Sequence, residues 1–285
     1  MVAVKEASFV FVESLAHNLG LDHRVTYQGA YLYDFVITAW ISLALLVVRY
    51  VSERIIVGSP LPSGTKPDAK RKKIDAIYDN LFIAVFSALL EALAVINTLF
   101  YNGGCTPWST DACMVGWPNH KLIVIQRLYF LLMFQYYLYE MIGTLVGVGT
   151  ILKTEMIIHH VATMALITLS YRINLLRYGT MWMALFDLSN PLLHLAKAAH
   201  LLEVPVLKDT MLPLFALVFF VARVAASPYS ILKPAFTHAV NILPMHWAVT
   251  FIALMIFICI LQLFWFYKIV MIALRGDKSE KDKEV

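Results

Sequence analysis

The chain is built from recurring runs of about twenty mostly apolar residues, the length an α-helix needs to cross the ~30 Å hydrocarbon core of a bilayer. Seven such runs are readable, at roughly 31–50, 80–101, 122–149, 156–173, 179–202, 211–232 and 246–274. Within hydrocarbon every backbone N–H and C=O must be satisfied by the protein itself, which restricts spanning segments to helices or closed barrels. Runs of this length select helices over strands. The expected fold is an all-α polytopic membrane protein with about seven transmembrane helices. Composition agrees: 60% of residues are hydrophobic and 15% charged, against roughly 25% charged in an average soluble domain. The formal net charge of +4 is spread over loops, so no nucleic-acid partner is expected.

Basic residues orient the spans. The segment after the first run carries Arg54, Lys66, Lys70, Arg71, Lys72 and Lys73, and the tail carries Lys278, Lys281 and Lys283. Both belong on the cytosolic side, and only an odd number of spans puts both there, with the N-terminus lumenal and the C-terminus cytosolic. The N-terminal residues lack a long apolar stretch followed by a small-residue cleavage site. No removable signal peptide is therefore expected, and the first span is expected to act as the signal. Loop 102–121 then lies in the lumen with Cys105 and Cys113. An oxidising compartment permits a disulfide, but spacing alone leaves a bridge and two free thiols equally open.

Polar side chains inside the runs mark the site. Ionisable groups in a spanning helix are costly and normally face a cavity or a partner. His159 and His160 interrupt the fourth run in tandem; as helix neighbours they point about 100° apart, so one is expected to line a cavity and the other to be held against a neighbouring helix. A neutral imidazole serves acyl transfer as nucleophile or general base. In the next run Asp187, Asn190, His194 and Lys197 recur at spacings that stack them on one helical face. Asp187 is the candidate to orient a histidine or hold a proton, and Lys197 the candidate to snorkel. Arg127, near the start of its run, is also expected to snorkel. Arg223, in mid-span, needs an internal counter-charge, which Glu91 or Glu140 can supply.

The stretch His159 to Lys197, HHVATMALITLSYRINLLRYGTMWMALFDLSNPLLHLAK, resembles the Lag motif of ceramide synthases, members of the TLC-domain family. The likeness extends to 117–140, 214–232 and 261–274. It implies six helices in a bundle around a lipid cavity, in the endoplasmic reticulum membrane, in a TLC domain at 75–275. Residues 1–74 then form an N-terminal segment with the first helix and a basic cytosolic loop, and 276–285 a short charged tail. The implied activity joins a fatty acyl group from acyl-CoA, a co-substrate and not a tightly bound cofactor, to the amine of a long-chain sphingoid base. Implied partners are fatty acyl-CoA, a long-chain amine lipid, membrane lipids and a second copy of the chain in a homodimer. The catalytic candidates are His159, His160 and Asp187; the substrate-binding candidates are Asn190, His194, Arg223, Tyr171 and Asn174; no metal is expected.

The motif departs from the family's pattern, roughly HD-x-SD-x-x-LE, at three positions: Phe186 stands for a histidine, Asn190 for an aspartate, and His194 for an acid. An amide donates and accepts hydrogen bonds but takes no proton. Beside the acyltransferase reading stands a TLC-domain protein that binds, senses or transports lipid without turnover. A fatty-acid elongase would need a histidine where Met156 stands, and a retinal-binding receptor would need a lysine better placed than Lys268.

Overall fold

A computed structural model of the chain describes residues 32–58, 68–120 and 123–281. The segment before residue 32, Lys66 in the basic loop and Lys283 in the tail lie outside these residues. Helices account for the architecture, and no strand forms among the described residues.

Helix α1 (Tyr33–Ile37) and α2 (Trp40–Ile56) are two parts of one apolar rod. Between them the Thr38 hydroxyl donates to the Asp34 carbonyl at 2.8 Å, a back-bond that bends helices. Helix α3 (Ala69–Ile96) starts where the Asp68 side chain accepts the Arg71 N–H, an N-cap that satisfies one orphan donor. It widens into a π-turn at Asn97–Tyr101. Helix α4 (Val124–Val146) stops at Gly147, whose φ of 71° is a left-handed C-terminal cap. Then follow α5 (Thr154–Arg172), α6 (Leu176–Asp187), α7 (Asn190–Leu202) and α8 (Pro205–Phe219). The chain continues through π-turns at Phe220–Ala225, Pro228–Leu232 and Ala235–Ala239, a short α9 (Val240–Ile242), and the long α10 (Met245–Lys281). Pro228 and Pro234 lack the N–H that a regular ladder requires, and wider turns take up the slack.

Among the described residues, four helical stretches are long and apolar enough to cross a membrane by length and composition: Tyr33–Ile56, Ala69–Tyr101, Pro205–Ile242 and Met245–Leu274. The other three expected spans correspond to α4, α5 and the α6–α7 pair. The run at 179–202 is not one helix. Pro191 would clash with the carbonyl four residues back, that of Asp187, and the helix divides there into segments of 12 and 13 residues. Asp187 thereby ends one helix and Asn190 opens the next.

The core is aromatic and aliphatic, with Tyr129, Phe130, Leu131, Leu166, Ile167, Tyr178 and Met181 buried. Gly179 on α6 lets α4 approach closely, since a Cβ there would collide with the Phe130 ring. One end of the bundle is closed by loop 102–120. Cys105 and Cys113 form a disulfide in it, with Cα atoms 4.6 Å apart. Trp117 donates its indole N–H to the Ile173 carbonyl at 2.7 Å. Asn174, in the left-handed region at φ 59°, donates to the carbonyls of Pro118 and His120 at 2.8 and 3.0 Å.

At the same end Arg127 does not snorkel. Its guanidinium pairs with Asp34 at 2.6 Å and donates to the Tyr171 hydroxyl at 3.0 Å, and that hydroxyl bonds Asp34 in turn. A fixed carboxylate on the first span offers the cation a partner inside the bundle, so the side chain has no need to reach for water.

Candidate active site

Helix α5 carries the histidine pair near its N-terminal end, packed between α4 and α10. His160 is buried against α4. Its Nε2 lies 2.7 Å from a Glu140 carboxylate oxygen, and its Nδ1 lies 2.7 Å from the Met156 carbonyl. The other Glu140 oxygen accepts the Tyr136 hydroxyl at 3.2 Å. A carbonyl only accepts, so Nδ1 carries a hydrogen, and the Nε2–carboxylate contact holds a single proton, on one side or the other. His160 has no ring nitrogen to spare.

His159 is held differently. Its ring meets Trp265 of α10 edge-on at 5.0 Å between centroids, and His160 and Tyr137 at 5.7 and 6.5 Å. Its Nδ1 is buried with no hydrogen-bond partner among the described residues. Aromatic edges thus position this imidazole while leaving its chemistry open.

The second polar group gathers where α6, α7 and the π-turn after α8 converge. Asn190 donates from Nδ2 to the Asp187 carboxylate at 2.9 Å and accepts from the Arg223 guanidinium at 2.5 Å. Arg223 also donates to Gln262 Oε1 of α10 at 3.0 Å and lies over the Phe219 ring. The amide therefore bridges a cation and an anion with its two ends. An aspartate here would place a second carboxylate against Asp187. The direct contacts of Arg223 are these two neutral amides; Asp187 and Glu91 are the carboxyl groups within its electrostatic reach, while Glu140 is engaged by His160. The Tyr137 hydroxyl faces Asp187, and its ring packs against His160 at 4.9 Å. That tyrosine joins the two polar groups into one site.

Of the residues singled out from sequence, His159, His160, Asp187, Asn190 and Arg223 converge here. His194 turns to α3, where it bonds Asn80 at 3.0 Å, and Lys197 is exposed. Tyr171 and Asn174 belong to the disulfide-bearing end, bonded to Asp34 and Arg127 and to loop carbonyls respectively. Glu140 is the addition: the carboxylate that holds a histidine is this one, while that of Asp187 bonds Asn190. The signal available was an acid within an apolar run, four residues after Tyr136, but its pairing across helices was not encoded in local spacing. Glu140 also lines a narrow cleft of about 260 Å³, counting its open mouth, together with Arg49, Ile83, Tyr139, Val148 and Thr150.

Comparison with known proteins bears on this arrangement. A family model described as the TLC domain matches residues 78–271. Alternaria stem canker resistance protein 1 of Solanum lycopersicum is 28% identical over 259 residues, covering 82% of each chain. Ceramide synthase LOH2 of Arabidopsis thaliana is 25% identical over 258 residues, covering 83% of each. Ceramide synthase 5 of Homo sapiens is 29% identical over 187 residues, which are 62% of this chain and 47% of that protein.

Proposed function

Because the chain belongs to the TLC-domain family, in its Lag-motif ceramide synthase branch, we propose that it is an acyl-CoA-dependent N-acyltransferase acting on a long-chain sphingoid base. The observation that carries this reading is the asymmetry of the histidine pair. One imidazole has both nitrogens bound, and the other, edged by the rings of Trp265 and Tyr137, keeps a nitrogen unpartnered among the described residues.

In this mechanism neutral His159 attacks the thioester carbonyl through its free nitrogen. The C–S bond breaks, coenzyme A leaves as a thiolate, and the acyl group rests on the imidazole. The amine enters as an ammonium ion and gives one proton to Asp187, which Asn190 and Arg223 hold in place. Its lone pair attacks the acyl carbon, the C–N bond forms, and imidazole departs with its electron pair. The second amine proton is shed. One of the two protons neutralises the thiolate and the other leaves to solvent, so thioester and ammonium give amide, thiol and one proton. His160, fixed by Glu140, keeps α5 in register and sets the electrostatic surroundings of His159.

The reading treats the α6–α7 pair as one broken passage and counts seven spans, with 75–275 as the catalytic unit in the endoplasmic reticulum membrane. The disulfide loop then faces the lumen, an oxidising compartment that suits it, and the tail faces the cytosol. One observation favours a non-catalytic lipid-binding protein instead: Asn190 cannot take a proton where the family carries an acid. Turnover decides between them. Purified protein given acyl-CoAs and sphingoid bases should yield N-acylated product, and His159→Ala should abolish it. A monodisperse, lipid-retaining protein that yields none contradicts the enzyme.

A further inference from the structure

Helix α3 packs on α6 and α7, and its buried stripe runs through Ala84, Ser87, Glu91 and Ala94. Glu91 is the only acid on that stripe and is 7% exposed. Its neighbours on that stripe, Ser87 and Ala94, are small. Neither of its oxygens has a hydrogen-bond partner among the described residues. Across from it on α4, Tyr129 is fully buried and its hydroxyl is likewise unpartnered. Tyr129 lies within electrostatic reach of both Glu91 and Asp187, and Glu91 within reach of Asp187 and Arg223.

A buried carboxylate with no partner is costly, and native bundles seldom tolerate one without purpose. From this geometry we infer that Glu91 and Tyr129 form the subsite for the polar head of the amine substrate, a long-chain amine with a neighbouring hydroxyl. The inference rests on the acyltransferase reading for its choice of ligand. Of the two co-substrates only the amine brings a positive charge, with a hydroxyl on the adjacent carbon. Coenzyme A carries no cation to meet the Glu91 carboxyl, and the acyl chain has nothing to offer either group. Glu91 binds the ammonium nitrogen, Tyr129 bonds the adjacent hydroxyl, and the amine is delivered beside Asp187. The acid missing at Asn190 is thereby supplied from another helix.

The test is equilibrium binding of tritiated sphinganine to the full chain in lipid nanodiscs, beside Glu91→Gln and Tyr129→Phe, with octadecylamine as the hydroxyl-free comparison. Loss of a charge-assisted hydrogen bond should weaken binding of both amines to Glu91→Gln by about tenfold or more. Tyr129→Phe should weaken sphinganine alone, by about two- to tenfold. Wild-type affinity in Glu91→Gln, or no amine binding by the wild type, overturns the subsite. Should Glu91→Gln fail to fold, competition on the wild type replaces it: sphinganine must outcompete the matching diol that lacks the amine by about tenfold, and equal affinity overturns the subsite. Turnover separates the two ideas. Amine binding with these losses but no N-acylated product sinks the acyltransferase reading and leaves the subsite standing. Product made by Glu91→Gln at the wild-type amine KM does the reverse.

Discussion

At the disulfide-bearing end of the bundle, Asp34, Arg127 and Tyr171 close on one another, and Asn174, Gln126 and Trp117 spend their donors on loop carbonyls and side chains. In the interior, Glu91, the Tyr129 hydroxyl and His159 Nδ1 face no partner among the described residues. Both regions are buried and both carry charge, so burial alone does not separate structure from chemistry. His120 Nδ1 and Thr106 Oγ1 at the disulfide-bearing end also lack a partner among the described residues, so the separation lies in the charged groups: Arg127 meets Asp34 there, whereas neither Glu91 oxygen has a partner among the described residues. A matched ion pair locks helices together; a carboxyl left unmatched inside the bundle is the feature on which the proposed subsite rests.

That contrast breaks most visibly if the locked end proves dispensable. Asp34→Ala should strand the Arg127 cation and cost about 3–5 kcal/mol of stability, read as a lower thermal unfolding midpoint. Activity per folded molecule should be unchanged. Glu140 sharpens the other side: Glu140→Ala should lower N-acylation about 10- to 100-fold by releasing His160, while Glu140→Gln, which can still bond Nε2, should lose less. A flat response in both would remove Glu140 from the site. Asn190→Ala should cost about 1–3 kcal/mol, because it leaves Arg223 and Asp187 each short of a bond; thermal unfolding in the same detergent measures it. The smallest effect concerns the loop. Without reductant, alkylation of the unfolded chain should label Cys259 alone, and after reduction Cys105 and Cys113 as well.

Much of this was legible in the sequence because membranes make polar residues conspicuous. His159, His160, Asp187, Asn190 and Arg223 stood out against apolar runs, and they do converge. What escaped notice depended on partners from distant spans. Arg127 read as a snorkelling residue because Asp34, ninety-three positions away, lies at the edge of a run and drew no attention. Glu140 read as a counter-charge for Arg223, yet its distance from His160 is set by how α4 and α5 pack. The division of the fifth run, which lets Asn190 reach back to Asp187, follows from the clash of Pro191 with one particular carbonyl. His194 shared a helical face with the site in periodicity and was drawn to Asn80 once the helix divided.

The central claim is that His159 is the group left open for chemistry, and intact-protein mass spectrometry tests it most directly. Wild-type protein mixed with palmitoyl-CoA, with no amine present, should gain one palmitoyl group that maps to His159. Adding sphinganine should discharge it as N-acylated product, and His159→Ala should acquire no adduct. An adduct on another residue, or product formed by His159→Ala at the wild-type rate, would contradict the account.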